Sequence, residues 1–94
     1  SKDFSVLEYI DKHSSENISI EDLADNCGMC YSNFAKQFKA QFGRTCKEYI
    51  EEMRLYKVED YLLFTDFDLN YIAQETGFSD CSHMIKSFKK LRIH

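Results

Sequence analysis

The sequence predicts an all-α fold: two similar helical units joined by one long helix. Three observations carry this. The 94 residues hold no proline and only three glycines, whereas a small sandwich or barrel needs turn residues about every 8–12 positions. Apolar residues recur at three- and four-residue spacing along the chain, and no alternating strand pattern competes. A stretch around Leu23 also returns around Ile72. With 44% apolar and 30% charged residues, the chain has the composition of a folded domain rather than a disordered one. Its length suits one domain at most.

Residues 4–13 form a first short amphipathic helix, with Val6, Leu7 and Ile10 at helical spacing. It ends in the polar stretch Ser14-Ser15-Glu16-Asn17. Ser19 and Asp22 open the second helix in the manner of a capping box, with Asp in place of Glu. Ile20, Leu23, Ala24 and Cys27 line one face, and Gly28 stops the helix at its C′ position. The third helix runs from about Tyr31 to Gln41, with Phe34, Phe38 and Phe42 as its stripe and Gly43 at its close. The fourth, about Lys47 to Phe64, is expected to turn Tyr49, Ile50, Met53, Tyr56, Val58, Tyr61 and Leu62 inward. At 1.5 Å per residue it is about 27 Å long. Asp68 caps a fifth helix, Leu69 to Thr76, with Leu69, Ile72 and Ala73 inward and Gly77 at its end. The last helix starts at Ser79 or Asp80, carries Met84, Ile85 and Phe88, and ends in Lys89-Lys90-Leu91-Arg92.

The self-similarity is the most informative feature. Leu23-Ala24-x-x-Cys27-Gly28-Met29 matches Ile72-Ala73-x-x-Thr76-Gly77-Phe78 at a shift of 49. Lys36 and Phe38-Lys39 match Lys86 and Phe88-Lys89 at a shift of 50. Each unit is thus a short helix, a tight turn with Gly, and a second helix, which is the helix-turn-helix pattern. Any helical hairpin needs a Gly turn, but two in register around one long helix ask for more than that. The expected division is a first unit over 1–46, a linker helix over 47–64 and a second unit over 65–94.

The net charge of −4 argues at first against nucleic acid. Its distribution argues the other way. Residues 1–30 carry two bases and seven acids, and residues 48–68 repeat that balance. Residues 31–47 carry Lys36, Lys39, Arg44 and Lys47 with no acid, and residues 69–94 carry Lys86, Lys89, Lys90 and Arg92 against Glu75 and Asp80. Both basic stretches fall on the second helix of a repeat unit, which a merely solvated face does not explain.

These residues resemble a known family. Ile20-x-x-Leu23-Ala24-x-x-Cys27-Gly28-Met29-Cys30-Tyr31-Ser32-x-Phe34-x-Lys36-x-Phe38-Lys39 is similar to the first helix-turn-helix of AraC/XylS-type transcriptional regulators. Gly43-x-Thr45-x-x-x-Tyr49 with Arg54-x-x-x-Val58-x-x-Tyr61-Leu62 resembles their linker helix. Ile72-Ala73-x-x-x-Gly77-Phe78-Ser79-Asp80-x-Ser82-x-Met84-x-Lys86-x-Phe88-Lys89-Lys90 resembles their second unit, and Gly-Phe-Ser-Asp is its most specific part. The chain departs from the pattern at Cys30, often Ser in the family, and at Lys36 and Lys86, often Arg. The family's closing Gly-x-x-Pro-x-x-Tyr-Arg is missing after Arg92-Ile93-His94, so a truncated C-terminal end is expected, with Ser1 an excised boundary.

The resemblance implies two homeodomain-like units that place their second helices in adjacent major grooves, about 34 Å or 10 bp apart, on double-stranded DNA. In the first unit the DNA-facing candidates are Tyr31, Ser32, Asn33, Ala35 and Lys36. In the second they are Cys81, Ser82, His83, Ile85 and Lys86. Lys36 and Lys86 are expected at guanine or a nearby phosphate, and Ala35 at a thymine methyl. Lys39, Arg44, Lys47, Lys89 and Lys90 are expected on the phosphate backbone. A monomer then reads a long non-palindromic site, or two copies a direct repeat. The surplus acid implies weak, salt-sensitive binding helped by a second copy or an upstream domain. The further partners implied are RNA polymerase and a sensor or receiver domain.

Other chemistries find less support. Cys27-Gly28-Met29-Cys30 is a Cys-x-x-Cys, but the second ligand pair of a zinc site is missing and no βαβ context suggests thiol redox chemistry. Cys81, Ser82 and His83 are helical neighbours that do not face one another, so no catalytic set forms. Neither enzyme activity, cofactor nor metal is expected. The longest apolar run, Tyr61-Leu62-Leu63-Phe64, is far below a membrane span, and Ser1–Ser5 show no signal-peptide pattern. A cytoplasmic protein with four reduced thiols is the expectation. The competing class is an acidic helical protein-interaction module that does not bind DNA.

Overall fold

A computed structural model describes residues 5–92, without the side chain of Arg92. The expected helix start at Phe4 and the expected truncation after His94 lie outside the described residues. Six helices follow one another: α1 (Val6–His13), α2 (Ile20–Asn26), α3 (Tyr31–Phe42), α4 (Cys46–Phe64), α5 (Leu69–Thr76) and α6 (Cys81–Arg92). No strand occurs among the described residues. None of these helices is long and apolar enough to cross a membrane.

Side-chain caps set where the helices begin. Ser5, Ser19 and Asp68 accept from the backbone N–H of Glu8, Asp22 and Tyr71, and Asp80 accepts from His83 N at 2.7 Å. Only half of the expected Ser19–Asp22 box is made, because Asp is one methylene too short to reach back. The complete box is at Thr45–Glu48. Thr45 Oγ1 accepts from Glu48 N at 3.1 Å and Glu48 Oε1 accepts from Thr45 N at 2.9 Å. The linker helix therefore starts at Cys46, one residue before the expected position.

The helices enclose two cores. Ile10, Leu23, Ala24, Phe34, Phe38, Cys46 and Ile50 make the first. Leu55, Val58, Ile72, Ala73, Phe78 and Met84 make the second. Helix α4 serves both, and it does so on two faces. At about 100° per residue, Leu55 lies roughly 140° around the helix from Ile50. A single apolar stripe is the wrong template for such a helix. Tyr56 and Leu62, expected inside, are 48% and 46% exposed, while Leu55, absent from the expected stripe, is 0% exposed. Leu69 is also exposed rather than inward, on the rim of an apolar hollow with Leu62, Ile85 and Phe88.

The two turns are built alike. Gly28 has φ +70° and Gly77 has φ +94°. Met29 N donates to Ala24 O at 2.9 Å and Gly28 N to Asp25 O at 3.0 Å. Phe78 N donates to Ala73 O at 3.0 Å and Gly77 N to Gln74 O at 3.4 Å. These are the paired bonds of a Schellman cap, which require a left-handed residue at C′. The repeat in the sequence is thus a repeat in hydrogen bonding. The glycines differ in surroundings. A Cβ on Gly28 would meet open space, whereas one on Gly77 would lie 2.9 Å from Ser15 O and 3.0 Å from Arg54 Nε.

Leu55→Ala should destabilise the domain by about 2–5 kcal/mol and Leu62→Ala by under about 1 kcal/mol, measured by denaturant unfolding. Gly28→Ala should cost about 1–2 kcal/mol for its left-handed backbone alone. Gly77→Ala should lower the melting temperature further, because the methyl also meets backbone. Equal losses for the two glycines would contradict the close approach at Gly77.

Candidate nucleic-acid interface

The exposed faces of α3 and α6 follow from what each helix buries. Phe34 and Phe38 turn one side of α3 into the first core, and the rings of Phe38 and Phe42 pack at a tilt of 58° with centroids 4.7 Å apart. At the matching position of α6, Met84 enters the second core, with Phe88 packed against it. The opposite sides are left to solvent. On α3 these carry Tyr31, Ser32, Asn33, Lys36 and Lys39, with Ala35 half-buried among them. On α6 they carry Ser82, Ile85, Lys86, Lys89 and Lys90. Lys47 is exposed in the first turn of α4.

Three candidate residues are held by neighbours. The Arg44 guanidinium is ion-paired with Glu52 of α4 and lies over the Tyr49 ring, 5.8 Å from its centroid. His83 places Nε2 3.4 Å from Glu51 Oε2 and Nδ1 3.2 Å from Ser79 Oγ, with its ring edge-on to Phe78. Cys81 is half-buried against the second core. Two acids of the linker helix, Glu52 and Glu51, thus hold Arg44 and His83 in place.

The starts of the two exposed helices differ. Cys30 stands at the N-cap of α3 and makes no side-chain cap bond, so the first N–H groups of that helix remain available to water or an anion. In α6 the carboxylate of Asp80 takes one of the corresponding donors. The basic ends of both helices reach the start of α4. Glu48 is held below the usual carboxylate range first by its bond from Thr45 N–H, and also by the charges of Lys39 and Lys90.

Cys30 is exposed, Cys27 is half-buried beside the first core, and Cys46 is buried in it. Burial, with Cys27 nearby, pushes the Cys46 thiol up to about 11. Among the described residues no group of three or more His, Cys, Asp or Glu lies together as metal ligands would.

The sequence places Arg54 in the linker pattern without giving it a role. Arg54 donates from Nε to Ser14 O at 2.6 Å and from Nη2 to Glu16 O at 3.1 Å. Arg54 is the one arginine in a strongly acidic segment, and that isolation was the available signal.

Known proteins share this arrangement. A family model described as a helix-turn-helix domain matches residues 23–92. The bifunctional transcriptional activator/DNA repair enzyme AdaA of Bacillus subtilis (strain 168) is 34% identical over 85 residues, 90% of this chain and 40% of that protein. The xylose operon regulatory protein of Escherichia coli (strain K12) is 30% identical over 85 residues, 90% of this chain and 22% of that protein. The chain therefore spans less than half the length of either relative. Among solved structures, the DNA-binding domain of the transcriptional factor AdpA, in complex with a target DNA, superposes with a TM-score of 0.85 at 20% identity, over 93% of this chain and 78% of that one. At that identity the superposition speaks for the fold. With two helix-turn-helix hairpins on one linker helix and a family match over most of its length, the chain belongs to the AraC/XylS-type helix-turn-helix family.

Proposed function

We propose that this chain binds double-stranded DNA sequence-specifically in transcription regulation, with α3 and α6 in adjacent major grooves. The observation that carries this is the duplicated unit. The same turn presents a second helix twice, and each time its solvent face bears lysines: Lys36 and Lys39 on α3, Lys86, Lys89 and Lys90 on α6. A major groove accepts an α-helix and displays a full donor and acceptor code. The DNA-bound AdpA domain shares the fold.

In this reading Lys36 and Lys86 contact guanine or an adjacent phosphate, and Tyr31, Ser32, Asn33, Ala35, Ser82 and Ile85 meet base edges or sugars around them. Lys39, Lys47, Lys89 and Lys90 hold the backbone. Arg44 reaches phosphate only by leaving Glu52, while Cys81 and His83 act through the seating of α6. The acidic surfaces of α1 and α4 face away from the duplex, toward RNA polymerase or an attached sensor or receiver domain. The chain acts in the cytoplasm, as part of a regulator rather than by a chemical step of its own.

Titration with duplex DNA tests the reading. Affinity should fall linearly in log salt, with a slope of about −0.9 per phosphate neutralised. Lys36→Ala and Lys86→Ala should lose preference among sites, by about 1–3 kcal/mol each. Lys89→Ala should leave preference intact and reduce the salt slope by about one. No binding at low salt would favour a protein-interaction module. Unchanged preference in both lysine variants would refute the base-reading roles.

A further inference from the structure

The two units are joined by more than the linker helix. Arg54 stands where α4 passes from the first core to the second, between Ile50 and Leu55. Both of its bonds go to carbonyls of the connection between α1 and α2, in the first unit: Ser14 O at 2.6 Å and Glu16 O at 3.1 Å. Its guanidinium also lies 6.0 Å from the ring centroid of Phe78, in the turn of the second unit. Ser15 O in that same connection is the atom a Cβ on Gly77 would strike. One turn further along α4, Lys57 Nζ donates to Ser15 Oγ at 3.2 Å. Residues 14–16 of the first unit are therefore seated on the turn that presents the reading helix of the second, and Ser14 is 0% exposed there.

We infer that Arg54 is a positioning residue that fixes the separation and orientation of α3 and α6, so that the domain selects DNA by the spacing between two half-sites as well as by their bases. This rests on the two-groove reading above. The physical basis is the planar fork of the guanidinium. It bonds two carbonyls at fixed angles while its carbon lies over the Phe78 ring, 6.0 Å from the centroid. Lysine, a point charge on a flexible stem, cannot reproduce that. Breaking the clamp leaves each hairpin its own core and its own turn. It removes the guanidinium's part of the constraint between them, leaving the linker helix and the approach of Ser15 to Gly77.

Two measurements on this chain separate the clamp from the DNA reading. In the free protein, residual dipolar couplings from the amides of α3 and α6 should fit one alignment tensor for the wild type and require two for Arg54→Lys or Arg54→Ala. On a panel of duplexes whose half-sites are moved together or apart by one base pair, about 34° of helical rotation, wild-type affinity should fall on the order of tenfold. The Arg54 variants should show a weaker but nearly flat profile, varying by less than about threefold. A variant that still melts cooperatively, keeps one tensor and keeps the wild-type spacing profile would overturn the inference. A purely structural arginine predicts that outcome: a lower melting temperature with spacing preference unchanged. A wild type indifferent to spacing, with the tensor splitting in the variant, would instead overturn the two-groove reading and leave the clamp standing. Should Arg54→Ala and Arg54→Lys both fail to melt cooperatively, Gly77→Ala, which drives a methyl into the same contact, is read by the same two measurements.

Discussion

Helix α4 carries Cys46 and Ile50 into one core and Leu55 and Val58 into the other, on faces roughly 140° apart, and the rest of the molecule is hung on that change of face. Each hairpin needs a third helix to cover its apolar side, because two short helices cannot enclose a core between them. One linker supplies both. The cost is a point in the middle of the helix that belongs to neither core, and Arg54 fills it. Its bonds to Ser14 O and Glu16 O satisfy carbonyls in a connection whose Ser14 is shut off from solvent. Burial disfavours the charged guanidinium there, and the nearby Glu51 carboxylate offsets this.

The same helix explains how an acidic domain can present two basic surfaces. Glu52 pairs with Arg44, Glu51 sits at His83, and Glu48 feels Lys39 and Lys90. These carboxylates of α4 sit beside cationic and polar groups of the neighbouring segments. They engage Arg44 after α3 and His83 on α6, while Lys36, Lys39, Lys86, Lys89 and Lys90 are exposed to solvent. The net charge of −4 describes the sum and hides this arrangement. Long-range attraction to a polyanion depends on which charges face it.

The two turns show how a duplicated motif comes to carry different loads. Their hydrogen bonds agree pair for pair, from Ala24 and Asp25 in one and from Ala73 and Gln74 in the other. Gly28 meets only the demand of a left-handed backbone, since nothing lies near its Cβ position. Gly77 meets the same demand and also leaves room for the first unit, at Ser15. The second turn is thus both a corner of its own hairpin and the seat of its neighbour.

Much of the fold is legible from residues alone because its determinants are local. Caps at Ser19 and Asp68, left-handed glycines and apolar spacing each act within a turn or two of helix, and the repeat shows that the unit occurs twice. The outward faces of α3 and α6 were legible for the same reason: Phe34, Phe38, Met84 and Phe88 declare the inner side, so Lys36 and Lys86 fall on the outer one. What the sequence could not decide depends on contacts between segments far apart in the chain. Leu55 is buried and Tyr56 exposed because α4 changes partners midway, which no single helical period encodes. Arg44, Cys81 and His83 look free until α4 and the second core are set beside them. Arg54 looks like one more surface charge until its carbonyls arrive from 38 and 40 residues away. Local physics fixed the elements and their faces; only the tertiary structure decided how the two units are held to each other.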